Sequence, residues 1–230
     1  MGRFIDIFID QFKSQSSLAA GGENVGFFWM WIILFIGIIG ISITVIKFLQ
    51  IQKYSNVNPE KFMIPLLKMV ERGETERALD ICKKSKSNAL PYVVSGGLDA
   101  MVRMKRADIR TIQDGVDINM MEIMPKLQSR ISYINLIANV ATLIGLAGTI
   151  FGLILAFDAV AVASDHLKTQ QLSSGISAAM GTTIAGLFVA IPMNFFYTFL
   201  TNKITKLVDD IDEWAVKFIN SSQKIDKQTL

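Results

Sequence analysis

The residues best able to handle an ion sit where polar groups are scarce. Thr142, Gly145, Gly148, Thr149, Gly152 and Ala156 share one long apolar stretch. Positions 142, 145, 149, 152 and 156 fall three or four apart, so on a helix they occupy one face. A second apolar stretch carries Ser173, Ser174, Gly175, Ser177, Ala178, Ala179, Gly181, Thr182, Thr183, Ala185 and Gly186. Small residues let helix backbones approach closely, and hydroxyls hydrogen-bond across the gap. Gly145 and Gly148 are too close in sequence to form a helix-dimer motif, whereas Gly148-Thr149-Ile150-Phe151-Gly152 has that spacing. Two readings are open: tight packing alone, or a polar path whose hydroxyls coordinate a cation or support a proton relay. No acid, base or histidine lies in the middle of either stretch. Ionisable residues usually mark proton paths inside membranes, so a proton moving here needs a carboxylate from another chain. Asp158 stands at the end of the first stretch, with two readings: a charge that draws cations to an entrance, or a solvated helix-end charge.

Other chemistry finds few candidates. His166 is the only histidine and Cys82 the only cysteine. A histidine metal cluster and an internal disulfide are therefore excluded, and Cys82 reads as a buried free thiol in a reducing compartment. No phosphate-binding loop and no paired acids within the apolar stretches are present. No basic stripe for nucleic acid is visible, and the net charge is only +3. No catalytic residue, metal or cofactor is expected, and the chain is not expected to be an enzyme.

The elements that position these residues follow from the charges. Hydrophobic residues make up 51% of the 230 residues, and the mean hydropathy is +0.40. No charged residue occurs between Glu23 and Lys47, between Arg130 and Asp158, or between Lys168 and Lys203. Each gap exceeds the roughly 20 residues that a helix needs to cross about 30 Å of hydrocarbon, and only a helix satisfies its own backbone there. The fold class expected is all-α, an integral membrane protein with three transmembrane helices and a helical cytoplasmic domain.

Residues 1–24 read as a surface-lying amphipathic helix, with Phe4, Ile5, Phe8, Ile9 and Phe12 at helical spacing. Span one is 25–49, with Trp29 and Trp31 as interfacial anchors. It follows acidic residues and lacks a basic leader and a small-residue cleavage site, so it reads as retained. Residues 50–130 form a large polar segment. Within it, Gly73 to Lys84 reads as a helix with acid first and base last, which suits the helix dipole. From Ala107 an apolar pattern through Ile112, Val116, Met120, Ile123 and Leu127 predicts one long helix running on into span two, kinked at Pro125. Span two is 131–157, a connector 158–171, span three 172–200, and the tail 201–230 an amphipathic helix.

Segment 50–130 and the tail hold 19 Lys and Arg, against three for the N-terminus and the connector. By the positive-inside rule the N-terminus lies outside, and the large segment and the tail inside.

These residues carry a resemblance. Gly145-Leu146-Ala147-Gly148-Thr149-Ile150-Phe151-Gly152-Leu153-Ile154-Leu155-Ala156-Phe157 resembles the second-span signature of the MotA/TolQ/ExbB proton-channel family. The run from Gly175 to Pro192, GISAAMGTTIAGLFVAIP, resembles its third-span signature. Three spans and a large loop after the first are similar to the ExbB and TolQ branch, whereas the flagellar MotA branch has four spans. The resemblance implies a pentameric ring in the bacterial inner membrane, with the N-terminus periplasmic and the C-terminus cytoplasmic. It implies an ExbD/TolR-like single-span partner whose membrane aspartate carries the proton, and work on a TonB- or TolA-like protein. It places Thr149 and Thr183 among pore-facing threonines, with Thr182, Thr142 and Ala178 beside the same path. Gly145, Gly148, Gly152, Gly186 and Pro192 then serve helix packing. Many ExbB and TolQ proteins carry a glutamate where Ala178 stands here, and a proline where Thr142 stands. The ring therefore lacks a carboxylate of its own.

Overall fold

The computed structural model describes residues 25–85, 87–104 and 108–228, and among them it is helical with no strand. The helices are α1 (Val25–Tyr54), α2 (Pro59–Glu71), α3 (Thr75–Lys84), α4 (Ala89–Arg103), α5 (Ile109–Gln128), α6 (Ile131–Val162) and α7 (Asp165–Gln228). The amphipathic helix expected in 1–24 lies outside the described residues. Three stretches of helix, within α1, α6 and α7, are long and apolar enough to cross a membrane. The described residues divide into two compact units, 25–45 with 132–198, and 46–131 with 199–228.

In the first unit α1 is apolar on every side and α6 over most of its circumference, which suits lipid rather than water. At 1.5 Å per residue the 32 residues of α6 reach about 48 Å. Phe35, Leu143, Ile150, Phe188 and Phe195 all point outward. Inward-facing positions are sparse and regular: 30, 33, 37, 40 and 44 on α1, and 134, 138, 141, 145 and 148 on α6, are buried. This alternation of three and four is the 3.5-residue seam of helices that wrap left-handedly.

Small residues set the contacts. A Cβ on Gly37 would lie 3.1 Å from Val189 Cγ2, and one on Gly40 would lie 3.1 Å from Met193 Sδ, so α1 and α7 run parallel. Gly40 also meets Ile137, and the Trp29 and Phe151 rings are 5.9 Å apart, so α6 runs antiparallel to α1. Between α1 and α7 lies an apolar groove of about 490 Å³, lined by Met30, Ile33, Gly37, Val189, Pro192 and Met193 among others.

The second unit is an amphipathic helical cluster. Pro59 opens α2 at a position where no N–H is needed. Gly73, at φ 77°, ends it: Glu74 N–H donates to Met69 O and Gly73 N–H to Val70 O, the paired bonds of a Schellman turn. α3 has Glu76 in its first turn and Lys83 and Lys84 in its last. α4 and α5 touch through Gly96 and Gly115, where a Cβ on either would strike the other's carbonyl oxygen. Gly97 lets Phe218 of α7 press in, and Met63, Leu66, Val70, Leu98, Val116 and Ile211 fill the core. Burial pushes the Cys82 thiol up to about 12. On the surface, Tyr92 OH donates to Glu122 at 2.5 Å and Lys126 Nζ to Glu122 at 2.6 Å. The bond from Lys126 holds the Glu122 carboxyl below its ordinary value, and the bond to Glu122 raises Tyr92.

The structure departs from the sequence reading at three places. The expected continuous helix through Pro125 into span two is broken: α5 ends at Gln128, and Arg130 adopts a left-handed φ of 65° before α6 begins. Lys47 shows what holds this end. Its side chain is 1% exposed, and its ammonium donates to Lys126 O at 3.3 Å and Ser129 Oγ at 3.2 Å. A cation thus meets the negative end of α5, where carbonyls lack helical donors. The connector 158–171 is mostly helix, with only Ala163 and Ser164 outside α6 and α7. The tail is not a separate helix, because α7 runs unbroken for 64 residues through Pro192.

Candidate functional site

The two signature stretches meet in the first unit as an antiparallel pair with a ladder of close approaches. A Cβ on Gly186 would sit 2.6 Å from Ala141 O. One on Gly145 would sit 3.1 Å from Thr182 O, one on Gly148 2.8 Å from Thr182 Oγ1, and one on Gly152 2.8 Å from Ala179 Cβ. A Cβ on Gly175 would overlap that of Ala156. Glycine is needed at Gly145 and Gly186 because the obstacle is backbone, which cannot swing aside as a side chain can.

Hydroxyls lock the register. Thr182, 1% exposed, donates to Ala179 O at 2.7 Å and lies 3.2 Å from Gly145 O. Thr183 donates to the same Gly145 O at 3.2 Å. One carbonyl of α6 therefore receives two threonines of α7, in surroundings where an unmet polar group is costly.

Not all of the sequence-selected residues gather there. Gly145, Gly148, Gly152, Gly186, Thr182 and Thr183 do. Thr142 is exposed and donates to Ala138 O at 3.1 Å. Thr149 is half-buried and donates to Leu146 O at 2.6 Å. These two flank the packing face rather than forming part of it, so the single face read from positions 142 to 156 divides into two. Ala178 is half-buried on α7. Pro192 stands further along α7, exposed at the groove toward α1. Among the described residues no group of His, Cys, Asp and Glu could hold a metal ion.

Polar residues that the sequence reading passed over continue the Thr142 and Thr149 edge. Asn135 and Asn139 lie seven and three residues before Thr142, with Asn139 exposed and Asn135 half-buried. The seven-residue spacing of 135, 142 and 149 was the available signal. A search for titratable groups and hydroxyls alone does not register amides.

A polytopic helical membrane protein results, in which two spans are knit by glycines and threonines around one carbonyl and no span carries a charge at mid-depth. Residues 85–213, more than half of the chain, match the MotA/TolQ/ExbB proton channel family. The chain belongs to that family, and its relatives place it with the ExbB and TolQ type. It is 26% identical over 209 residues to a biopolymer transport protein ExbB homolog of Methanothermobacter thermautotrophicus, covering 91% of this chain and 71% of that one. It is 34% identical over 85 residues to the biopolymer transport protein ExbB of Aquifex aeolicus, covering 36% and 57%. It is 32% identical over 92 residues to the Tol-Pal system protein TolQ of Haemophilus influenzae, covering 40% of each chain.

Proposed function

We propose that this chain is the ring-forming subunit of an ion-driven motor in the bacterial inner membrane. With an ExbD/TolR-like single-span partner carrying a membrane Asp, it converts ion motive force into mechanical work on the outer membrane, with TonB-dependent uptake the favoured process. The N-terminus is periplasmic and the C-terminus cytoplasmic, the ring is a homo-oligomer of five, and the chain is not an enzyme. One observation carries the reading. Thr182 and Thr183 converge on Gly145 O in a span pair without any charged group, so the pair is organised for a polar task and depends on a partner for the titratable group. The biopolymer-transport and Tol-Pal names of the relatives support the same direction.

A structural scaffold is the competing reading, and it draws on the burial of Thr182 inside the packing face. Thr149→Val combined with Thr183→Val separates the two, since valine keeps the shape and removes the oxygen. A motor subunit loses energised uptake while its assembly persists; unchanged uptake in the double variant refutes the polar task. Native mass spectrometry of the gently extracted complex tests the partner. Five copies with a smaller chain bearing a membrane aspartate are expected, and a partner-free monomer or dimer contradicts the proposal.

A further inference from the structure

At the end of α5, positive charge gathers without acid to balance it. Lys47 closes the charge-free stretch that follows Glu23, and Arg130 opens the one that runs to Asp158. Both therefore stand where hydrocarbon gives way to headgroups, on the side of segment 50–130. The Lys47 ammonium is buried, and its two acceptors, Lys126 O and Ser129 Oγ, are neutral and long for a cation at 3.3 and 3.2 Å. Arg130 follows Ser129 in the chain and lies close enough for its charge to repel that ammonium. Its guanidinium is exposed, and no hydrogen bond or ion pair among the described residues holds it. Lys203, over the Phe48 ring at 5.3 Å, has no carboxylate either. The carbonyl end of α5 offsets part of the Lys47 charge but leaves Arg130 unanswered. A buried cation beside a second cation is costly unless an anion joins them. Arg130 also carries a backbone cost. Its φ of 65° lies in the left-handed region, which a residue with a Cβ disfavours. Such strain clusters at ligand clamps and other functional points, and the free fork of Arg130 matches the paired oxygens of a phosphate.

We infer that Arg130, backed by Lys47 and Ser129, binds the phosphodiester of an anionic phospholipid in the leaflet on the side of segment 50–130. Arg130 makes the contact, because Lys47 is 1% exposed and acts through its charge alone. The surroundings favour a lipid over a free phosphate. Ile46 and Leu49 point outward on either side of Lys47 and offer acyl chains an apolar bed. Basic pockets at the ends of spans suit such headgroups. The binding stands whether or not the chain serves ion flow.

Native mass spectrometry of the complex in mild detergent, titrated with phosphatidylglycerol or with phosphatidylcholine, counts the lipids bound per chain. Phosphatidylglycerol is expected to bind about ten-fold more tightly than phosphatidylcholine, to one lipid per chain. Arg130→Gly should abolish that preference without lowering Tm, since glycine accepts a positive φ at no steric cost. Arg130→Asn, which also tolerates this conformation, should behave alike. Lost binding with retained stability then reports a lost ligand contact rather than a lost fold. Equal binding of the two lipids, or a preference that survives in both variants, overturns the inference. An equal loss in Lys83→Gln, which removes an exposed charge at the end of α3, overturns it too, in favour of general surface charge. Inorganic phosphate that displaces phosphatidylglycerol at matching concentrations would assign the site to a free phosphate and overturn the lipid.

Discussion

Gly186→Ala isolates what the α6–α7 contact is worth. The added methyl would sit 2.6 Å from Ala141 O and 3.1 Å from Gly145 Cα, both backbone. Relief requires the two helices to part by several tenths of an ångström, and overpacking of this kind costs about 1–3 kcal/mol. Parting also lengthens the 3.2 Å bond from Thr183 to Gly145 O, an interhelical bond worth about 0.6 kcal/mol on average in membranes. Alanine returns up to about 1 kcal/mol through its better helix propensity. The net loss is about 1–3 kcal/mol. For a chain of this size 1 kcal/mol moves Tm by about 2–4 °C, so the variant melts about 2–12 °C lower in detergent. Gly37→Ala is the comparison: its methyl meets the movable Val189 side chain at 3.1 Å, and its Tm stays within about 2 °C, since the smaller clash is offset by propensity. Thermal unfolding followed by circular dichroism reads both. A Gly186→Ala protein as stable as the parent, or a Gly37→Ala protein that falls further, would refute the claim that backbone contact is what makes glycine necessary at Gly186.

Other outcomes follow from the second unit. Lys47→Met should quicken amide hydrogen exchange at 127–131, where the end of α5 loses its cation, and leave exchange in α3 unchanged; Lys47→Arg should restore slow exchange. Tyr92 should ionise above the ordinary tyrosine value of about 10 in an alkaline absorbance titration, and Glu122→Gln should bring it down. Because the folded Tyr92 value is raised, its contribution to stability is complete below the unfolded tyrosine value of about 10 and disappears as pH climbs through the folded one. Glu122 has the opposite sign: its value is lowered, so its contribution is present above about 4.3 and disappears as pH falls through the folded value. Cys82, raised to about 12, should resist alkylation at neutral pH in the folded protein and react once denaturant opens the cluster.

The span-forming helices were legible because charge is an all-or-none signal: no Lys, Arg, Asp or Glu interrupts the stretches ending at Lys47, Asp158 and Lys203. The α3 boundaries were legible from Gly73 and the charges at each end. The length of α7 could have been read too, since no glycine or proline follows Pro192 as far as Gln228. The break at Ser129-Arg130 could not, because neither residue is a helix breaker and the turn is held by Lys47, 82 residues away from Ser129. Within the site, periodicity supplied the spacing of Thr142, Gly145 and Thr149 but not which edge of the helix meets α7. That depends on contacts such as Ala141 with Gly186, visible only once both helices are placed.

Lys47 also imposes an order on synthesis. Its carbonyl partner, Lys126, is 79 residues further along the chain. At about 5–20 residues per second that is a wait of about 4–16 s. Throughout it the ammonium has to remain in water at the mouth of the translocation machinery, and its desolvation is deferred until the end of α5 is made. The lysine thus acts first as a brake that stops α1 from sliding through the bilayer, and only afterwards as an internal fastening. A ribosome stalled before Lys126 should hold a first helix whose Lys47 is still solvated and not yet fastened to α5.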